Sequence, residues 1–200
     1  MPVRTPRLKI VRRLGTPLPG LTRKSADRRP APPGQHGATG ARRRRSAYAR
    51  ALEEKQKLRL NHGVTEAQLR RYLERARGLA GETGTTLRIL LERRLDNVVF
   101  RLRLARTIPA ARQLVSHGHV LVNGARVDRP GFELSAGDLV ALAPGAQERL
   151  ARAATAGGLP VPGYLAVDDV AGAGRMVRLP EPGDLGLRVD AQMIVEFYAR

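Results

Sequence analysis

The apolar positions between Thr65 and Arg77 repeat at helical spacing: Leu69, Tyr72, Leu73 and Ala76 share one face, and Arg70, Arg71, Arg75 and Arg77 lie between them. Thr65 with Gln68 three residues on has the form of a capping box, in which each side chain reaches the other's backbone N–H. The pattern predicts a helix with one core face and one cationic face. The preceding stretch, Ser46 to about Asn61, is rich in good helix formers, and Gly63 suits the left-handed residue that closes such a helix. A third helix is predicted from near Thr85 to about Leu104, because Leu87, Leu90, Leu91, Val98, Val99 and Leu102 trace one stripe. Glu92, Arg93, Arg94, Asp96 and Asn97 interrupt that stripe as a polar cluster.

Downstream the period changes. Thr107 as N-cap, Pro109 in the first turn, and Ile108, Ala111, Leu114 and Val115 as a buried face predict a short helix closed by Gly118. The stretch HVLVNGARV then alternates around Asn123-Gly124, a pair that tolerates the positive φ needed at both central positions of a type I′ turn. With DLVAL (138–142) after a turn at SAGD, this unit occupies about residues 89 to 143. GYLAVD (163–168) and RMVRLP (175–180) read as short strands, and Met193, Ile194, Phe197 and Tyr198 make a helical apolar face. AGAGR (171–175) lacks the strand-to-helix frame of a phosphate loop and GETGTT (81–86) lacks its Lys, so both read as plain loops. Residues 1–45 mix Pro, Gly and Arg without either period, which predicts an extended arm that orders on a partner.

Charge narrows the partner. Against 18 Asp and Glu stand 36 Lys and Arg, a formal net charge of +18. Residues 1–50 carry 14 cations and one acid, residues 51–112 carry 14 and 7, and residues 113–200 carry 8 and 10. A polyanion is implied, met mostly through the first half. Aromatic residues make up 4% of the chain, too few for platforms on which single-stranded bases stack. Folded RNA, reached through phosphates, 2′-hydroxyls and shape, fits better. The absence of cysteine excludes disulfide frameworks and Cys-ligated zinc, and His117-x-His119 has no third ligand nearby. Asp168 and Asp169 have no base or nucleophile beside them. No metal, cofactor or catalysis is expected. Neither a signal-like apolar run nor 18 consecutive apolar residues occur, so a soluble cytoplasmic or organelle-internal protein is expected.

RLDNVVFRL (94–102), ARQLVSHGHVLVNG (111–124) and GDLVAL (137–142) closely resemble the small RNA-binding domain named after small-subunit ribosomal protein four. PRLKIVRRLG (6–15), LPGLTRK (18–24), PPGQHG (32–37), YARALEEKQKLR (48–59) and IVEFYAR (194–200) resemble that ribosomal family itself, in its bacterial or plastid form. The resemblance implies an α+β fold. A mainly helical first domain, residues 1–88 with 188–200, carries an extended basic N-terminal arm; in a second, 89–187, an antiparallel sheet packs on helices. It implies a monomer within the small ribosomal subunit, cytoplasmic or in a plastid, that binds the 5′ domain of 16S-type rRNA and nucleates assembly. Its further partners would be small-subunit ribosomal protein five, with a contribution to translational accuracy, and mRNA where it enters the particle. The alternative is an accessory regulator or RNA-modifying factor that uses the same small domain, but residues 144–200 offer no catalytic motif.

Carried over residue by residue, the resemblance points to Lys9, Arg12 and Arg13 in the arm, to Gln35, His36 and Gly37 in the PGQHG turn, and to Arg42, Arg43, Arg44 and Arg45. It adds Lys55, Lys57 and Arg59, then Arg94, Arg106, Arg112, His117, His119, Asn123 and Arg126 in the small domain. Other readings stand beside these. His117 and His119 equally suit a helix end, Asn123 is needed for its turn in any case, and Arg94 with Asp96 would also make an internal ion pair. Lys55 and Lys57 with Glu53 and Glu54 have the spacing of helix-surface pairs. The segment after residue 144 is rich in Ala and Gly, and Ala191 stands where the family pattern has glutamate, which bears on the contact with protein five.

Overall fold

The computed structural model describes residues 6–37, 46–146, 159–168 and 172–199. They group into two compact units, one from residues 1–84 with 187–200 and the other from 85–186. The helices in chain order are α1 (Arg7–Leu14), α2 (Ala47–His62), α3 (Glu66–Arg77), α4 (Thr83–Glu92), α5 (Leu95–Arg101), α6 (Ile108–Ser116) and α7 (Ala191–Phe197), with a 3-10 turn at Pro182–Asp184. The strands are β1 (Val120–Val122), β2 (Ala125–Arg126), β3 (Leu139–Leu142), β4 (Leu165–Val167) and β5 (Ala173–Met176). They form one sheet of order β2-β1-β3-β5-β4, antiparallel throughout. The fold is α+β.

In the first unit, reading residues 1–45 as aperiodic misses α1. Ile10, Val11 and Leu14 turn one face of α1 into the core, and Leu18 and Leu21 continue it past the helix end. Gly15 closes α1 in the left-handed conformation, its N–H bonded to the Val11 carbonyl. The following loop is fixed from within: the Gly20 N–H donates to Asn61 Oδ1 at 3.0 Å, and Arg12 Nε donates to the Ala31 carbonyl at 3.0 Å. Ser46 caps α2 and Gly63 ends it with φ 62°; Thr65 and Gln68 form both halves of the capping box that opens α3.

α7 seats on α2. Asp190 caps α7 through the Met193 N–H, and its own N–H donates to Glu54 Oε2 at 3.0 Å. Below it Lys55 Nζ lies 4.1 Å from the centre of the Phe197 ring and 2.8 Å from Glu66 Oε1, which also accepts from the Tyr198 hydroxyl at 2.6 Å. A cation over an aromatic face gains from the ring quadrupole, most when water is excluded. Burial alone would raise the Glu66 carboxyl, but the hydrogen bonds from Lys55 and Tyr198, with the Lys55 and Arg59 charges, hold it below the usual carboxylate range.

In the second unit the predicted single helix from 85 to 104 is two helices, broken at Arg93-Arg94. The break occurs because the backbone there turns outward to pair with residues 130–134. Arg94 bridges Glu133, the Leu95 N–H donates to the Phe132 carbonyl at 2.8 Å, and the Leu134 N–H donates to the Arg93 carbonyl at 3.0 Å. A stripe of apolar residues cannot signal such non-local backbone partners. Leu95, Val98 and Val99 of α5, Ala111 and Val115 of α6, and Val120, Val140, Leu134 and Tyr164 form a continuous core. AGAGR also differs from expectation: Ala173 to Arg175 lie in β5, and a Cβ on Gly174 would overlap Leu102. The glycine that suggests a loop is there to let the sheet approach α5 closely. RMVRLP contributes to that strand only as far as Met176.

The buried polar cluster centres on Glu92. Its carboxylate accepts from Arg101 (3.1 and 2.7 Å), Asn97 Nδ2 (2.6 Å) and the Tyr164 hydroxyl (3.0 Å). Burial and the Glu92 charge push the Tyr164 hydroxyl well above the usual phenol range. Burial would lower Arg101, but Glu92 outweighs it and holds the guanidinium protonated.

Removing one partner of a buried pair leaves the other charged and dry, so Glu92→Ala is expected to lower stability by about 3–5 kcal/mol, read by urea denaturation. Because the folded pKa of Glu66 is depressed, its contribution is complete above the usual carboxylate range and is lost as pH falls through the folded value. Glu66→Gln should therefore melt a few degrees below the parent at pH 7, and the gap should close as the solution is acidified, followed by circular dichroism.

Candidate nucleic-acid interface

The first unit offers three cationic features. On α1, Lys9 and Arg13 are exposed, whereas Arg12 is half-buried with its Nε engaged by Ala31. The PGQHG turn presents Gln35 and His36 outward while Gly37 is buried, its N–H bonded to the Gly34 carbonyl at 3.1 Å. A Cβ on Gly37 would overlap the Pro32 carbonyl, so that glycine shapes the turn rather than touching a ligand. Arg42, Arg43, Arg44 and Arg45 lie outside the described residues.

On α2 the three expected cations all have partners within the fold. Lys55 is 6% exposed and held by Glu66 and Phe197, so it fastens α7. Lys57 is bound to Glu54 at 2.6 Å, and Arg59 to Gln56 at 3.0 and 2.8 Å. These are the intrahelical pairs that their spacing allows.

The outer face of α3 was not among the expected contacts. Leu69, Leu73 and Ala76 point inward, and Arg70, Arg71, Arg75 and Arg77 are exposed. The amphipathic period that locates the core also marks this face, so the signal was in the sequence; the family-derived residues simply did not include it. Such a row of guanidinium groups can meet successive phosphates, each with a planar two-pronged donor.

In the second unit, Arg106 and Arg126 are exposed, His117 is exposed and His119 half-buried, their rings 6.1 Å apart. His117 follows α6 as its C-cap, and Gly118 reverses the chain at φ 71°. The Arg126 guanidinium crosses this turn, donating to the His117 carbonyl at 3.3 Å and filling the space a Cβ on Gly118 would take. The two histidines and Arg126 are thus grouped at one end of the hairpin. Asn123 (φ 51°) and Gly124 (φ 81°) give the type I′ geometry. The Asn123 side chain is occupied with the fold: Nδ2 donates to Asp138 Oδ1 at 2.8 Å, and Oδ1 accepts from the Leu139 N–H at 2.9 Å.

Arg94 makes the internal ion pair that its spacing from Asp96 allows. It is 3% exposed, bound through Nε and Nη2 to both oxygens of Asp96 at 3.0 and 2.9 Å, and does not reach the surface. Arg112 reaches the same carboxylate from α6 yet keeps 35% of its side chain exposed. No helix among the described residues is long and apolar enough to cross a membrane, and no group of three or more His, Cys, Asp or Glu among them could hold a metal ion. The exposed guanidinium, ammonium and imidazole groups can bind anions by charge and hydrogen bonding.

Comparison with known proteins supplies the context. A family model described as the ribosomal protein S4/S9 N-terminal domain matches residues 3–92, and one described as the S4 domain matches residues 93–140. The chain is 49% identical over 200 residues to the small ribosomal subunit protein uS4 of Thermosynechococcus vestitus, covering 98% of this chain and 97% of that one. To uS4 of Nostoc sp. it is 51% identical over 203 residues (98% and 97%), and to uS4B of Nitrosomonas europaea 48% over 196 (97% and 96%).

Reversing the charge of Arg70 and Arg71 to Glu should leave the melting temperature within about 1 °C, both being exposed surface positions. It should flatten the log–log dependence of RNA affinity on salt by at least about one per residue, measured by filter binding.

Proposed function

The chain belongs to the ribosomal protein S4 family, and on that premise we propose that it is a primary rRNA binder that engages the 5′ domain of small-subunit rRNA and nucleates assembly of the subunit. It is a structural constituent of the small ribosomal subunit, an rRNA-binding protein and not an enzyme. The observation that carries the proposal is the match over nearly the whole length to proteins named for the small subunit. The cation gradient agrees: charge is concentrated in residues 1–112, which suits a ligand made of phosphates.

Within this reading, residues 1–88 with 188–200 form the main rRNA-binding domain, through Lys9, Arg13, Gln35, His36, the Arg42–Arg45 run and the exposed arginines of α3. Residues 89–187 add a second contact through Arg106, Arg112, His117, His119 and Arg126. The protein acts as a single copy in a cytoplasmic ribosome, with a plastid ribosome as the alternative. Contact with small-subunit ribosomal protein five, an effect on decoding accuracy, and proximity to mRNA where it enters the particle complete the proposal.

The test is binding of the purified chain to the isolated 5′ domain across a salt series with bulk tRNA as competitor. Neutralising about ten phosphates gives a slope of roughly −7 to −9 in log affinity against log salt. Tight binding that tRNA does not displace is expected; equal displacement by tRNA would reduce the surface to a generic basic one.

A further inference from the structure

We propose that Asp96 is a positioning residue for RNA binding: buried between two arginines, it holds the guanidinium of Arg112 at the surface in the orientation that meets a phosphate. This rests on the rRNA-binding reading above and deepens it.

The geometry is that of one carboxylate shared by two cations. Asp96 is fully enclosed at the start of α5. One guanidinium, Arg94, is enclosed with it and bound in a fork to both oxygens. The second, Arg112, comes from α6 and donates Nε and Nη2 to Oδ2 at 3.2 and 2.7 Å, while remaining 35% exposed. These three groups together carry one positive charge. An isolated Asp–Arg pair would be neutral and of little use to a phosphate; the enclosed Arg94 restores the charge, and the exposed end of the trio is Arg112.

The orientation also matters. A long arginine left in solvent loses rotamer freedom when it binds, whereas one already clamped through one edge of its guanidinium has little left to lose. A lysine cannot take the same place, because it has no planar fork with which to bind a carboxylate along one edge and a phosphate along another. Arg94 thus neither contacts RNA nor serves stability alone; it allows a buried acid to be used as a clamp.

The experiment uses the full chain and the isolated 5′ domain of small-subunit rRNA. Arg112→Ala should weaken binding by about tenfold and lower the salt slope by about one. Arg112→Lys should restore the slope but remain about as weak as the alanine variant. A double variant, Arg94→Met with Asp96→Asn, removes the clamp without leaving a buried charge unpaired; it should weaken binding by about tenfold although Arg112 is still present. In the free parent protein, the Nε–H of Arg112 should exchange with water more slowly than that of Arg126, seen by 15N NMR. Parental affinity in Arg112→Lys or in the double variant, or exchange at Arg112 as fast as at Arg126, would overturn the inference. If the double variant does not fold, Arg112→Lys decides alone. Displacement of the parent by bulk tRNA would instead defeat the rRNA reading, so the two failures are separable.

Discussion

The second unit is organised around a single carboxylate. Glu92 ends α4, and the groups that satisfy it come from α5 (Asn97 and Arg101) and from Tyr164 beside β4. Helix pair and sheet are therefore joined by charged and polar hydrogen bonds as well as by the apolar core. In a low-dielectric interior such a network is strong when each member is paired and costly when one is not. It also fixes direction: Asn97 reaches back to both the carbonyl and the carboxylate of Glu92. That contact spans the break between α4 and α5 and leaves the backbone of residues 93–96 available to residues 130–134.

A chain with twice as many cations as anions has to divide them between fold and ligand. Arg94, Arg101 and Lys55 are enclosed and bound to acids. Lys57 and Arg59 are bound along α2. Exposed cations include those on α1, on α3 and around the end of α6. The enclosed acids, Glu92 and Asp96, each hold more than one donor, as does the half-exposed Glu66. The two buried acids organise cations inside the second unit, while the chain as a whole keeps its excess of positive charge.

What could be read from the sequence was what short range decides. The capping box at Thr65 and Gln68, the left-handed Gly63, the Thr107 cap, the Asn123-Gly124 turn and β3 all have local causes, and they stand where their residues indicate. Two of the misread elements have distant causes. The break at Arg93-Arg94 depends on residues some 40 positions away, and β5 runs through AGAGR because Gly174 must fit beneath Leu102. α1 was hidden because its arginines mask the spacing of Ile10, Val11 and Leu14. At the interface the same division holds. Residue type points to a cation, but only the fold tells whether it is outward like Arg126, enclosed like Arg94, or fastened under an aromatic ring like Lys55.

The seating of α7 on α2 has a consequence for the order in which the protein is made. The first unit draws its closing helix from residues 187–200, which are synthesised after the entire second unit. Domains usually fold in the order in which they emerge. Until residues 187–200 emerge, Lys55 and Glu66 lack the Phe197 and Tyr198 that they meet in the complete fold. The second unit has a core of its own and can close before residues 187–200 are made. The part of the molecule richest in positive charge is thus the last to become complete, although it is the first to be translated.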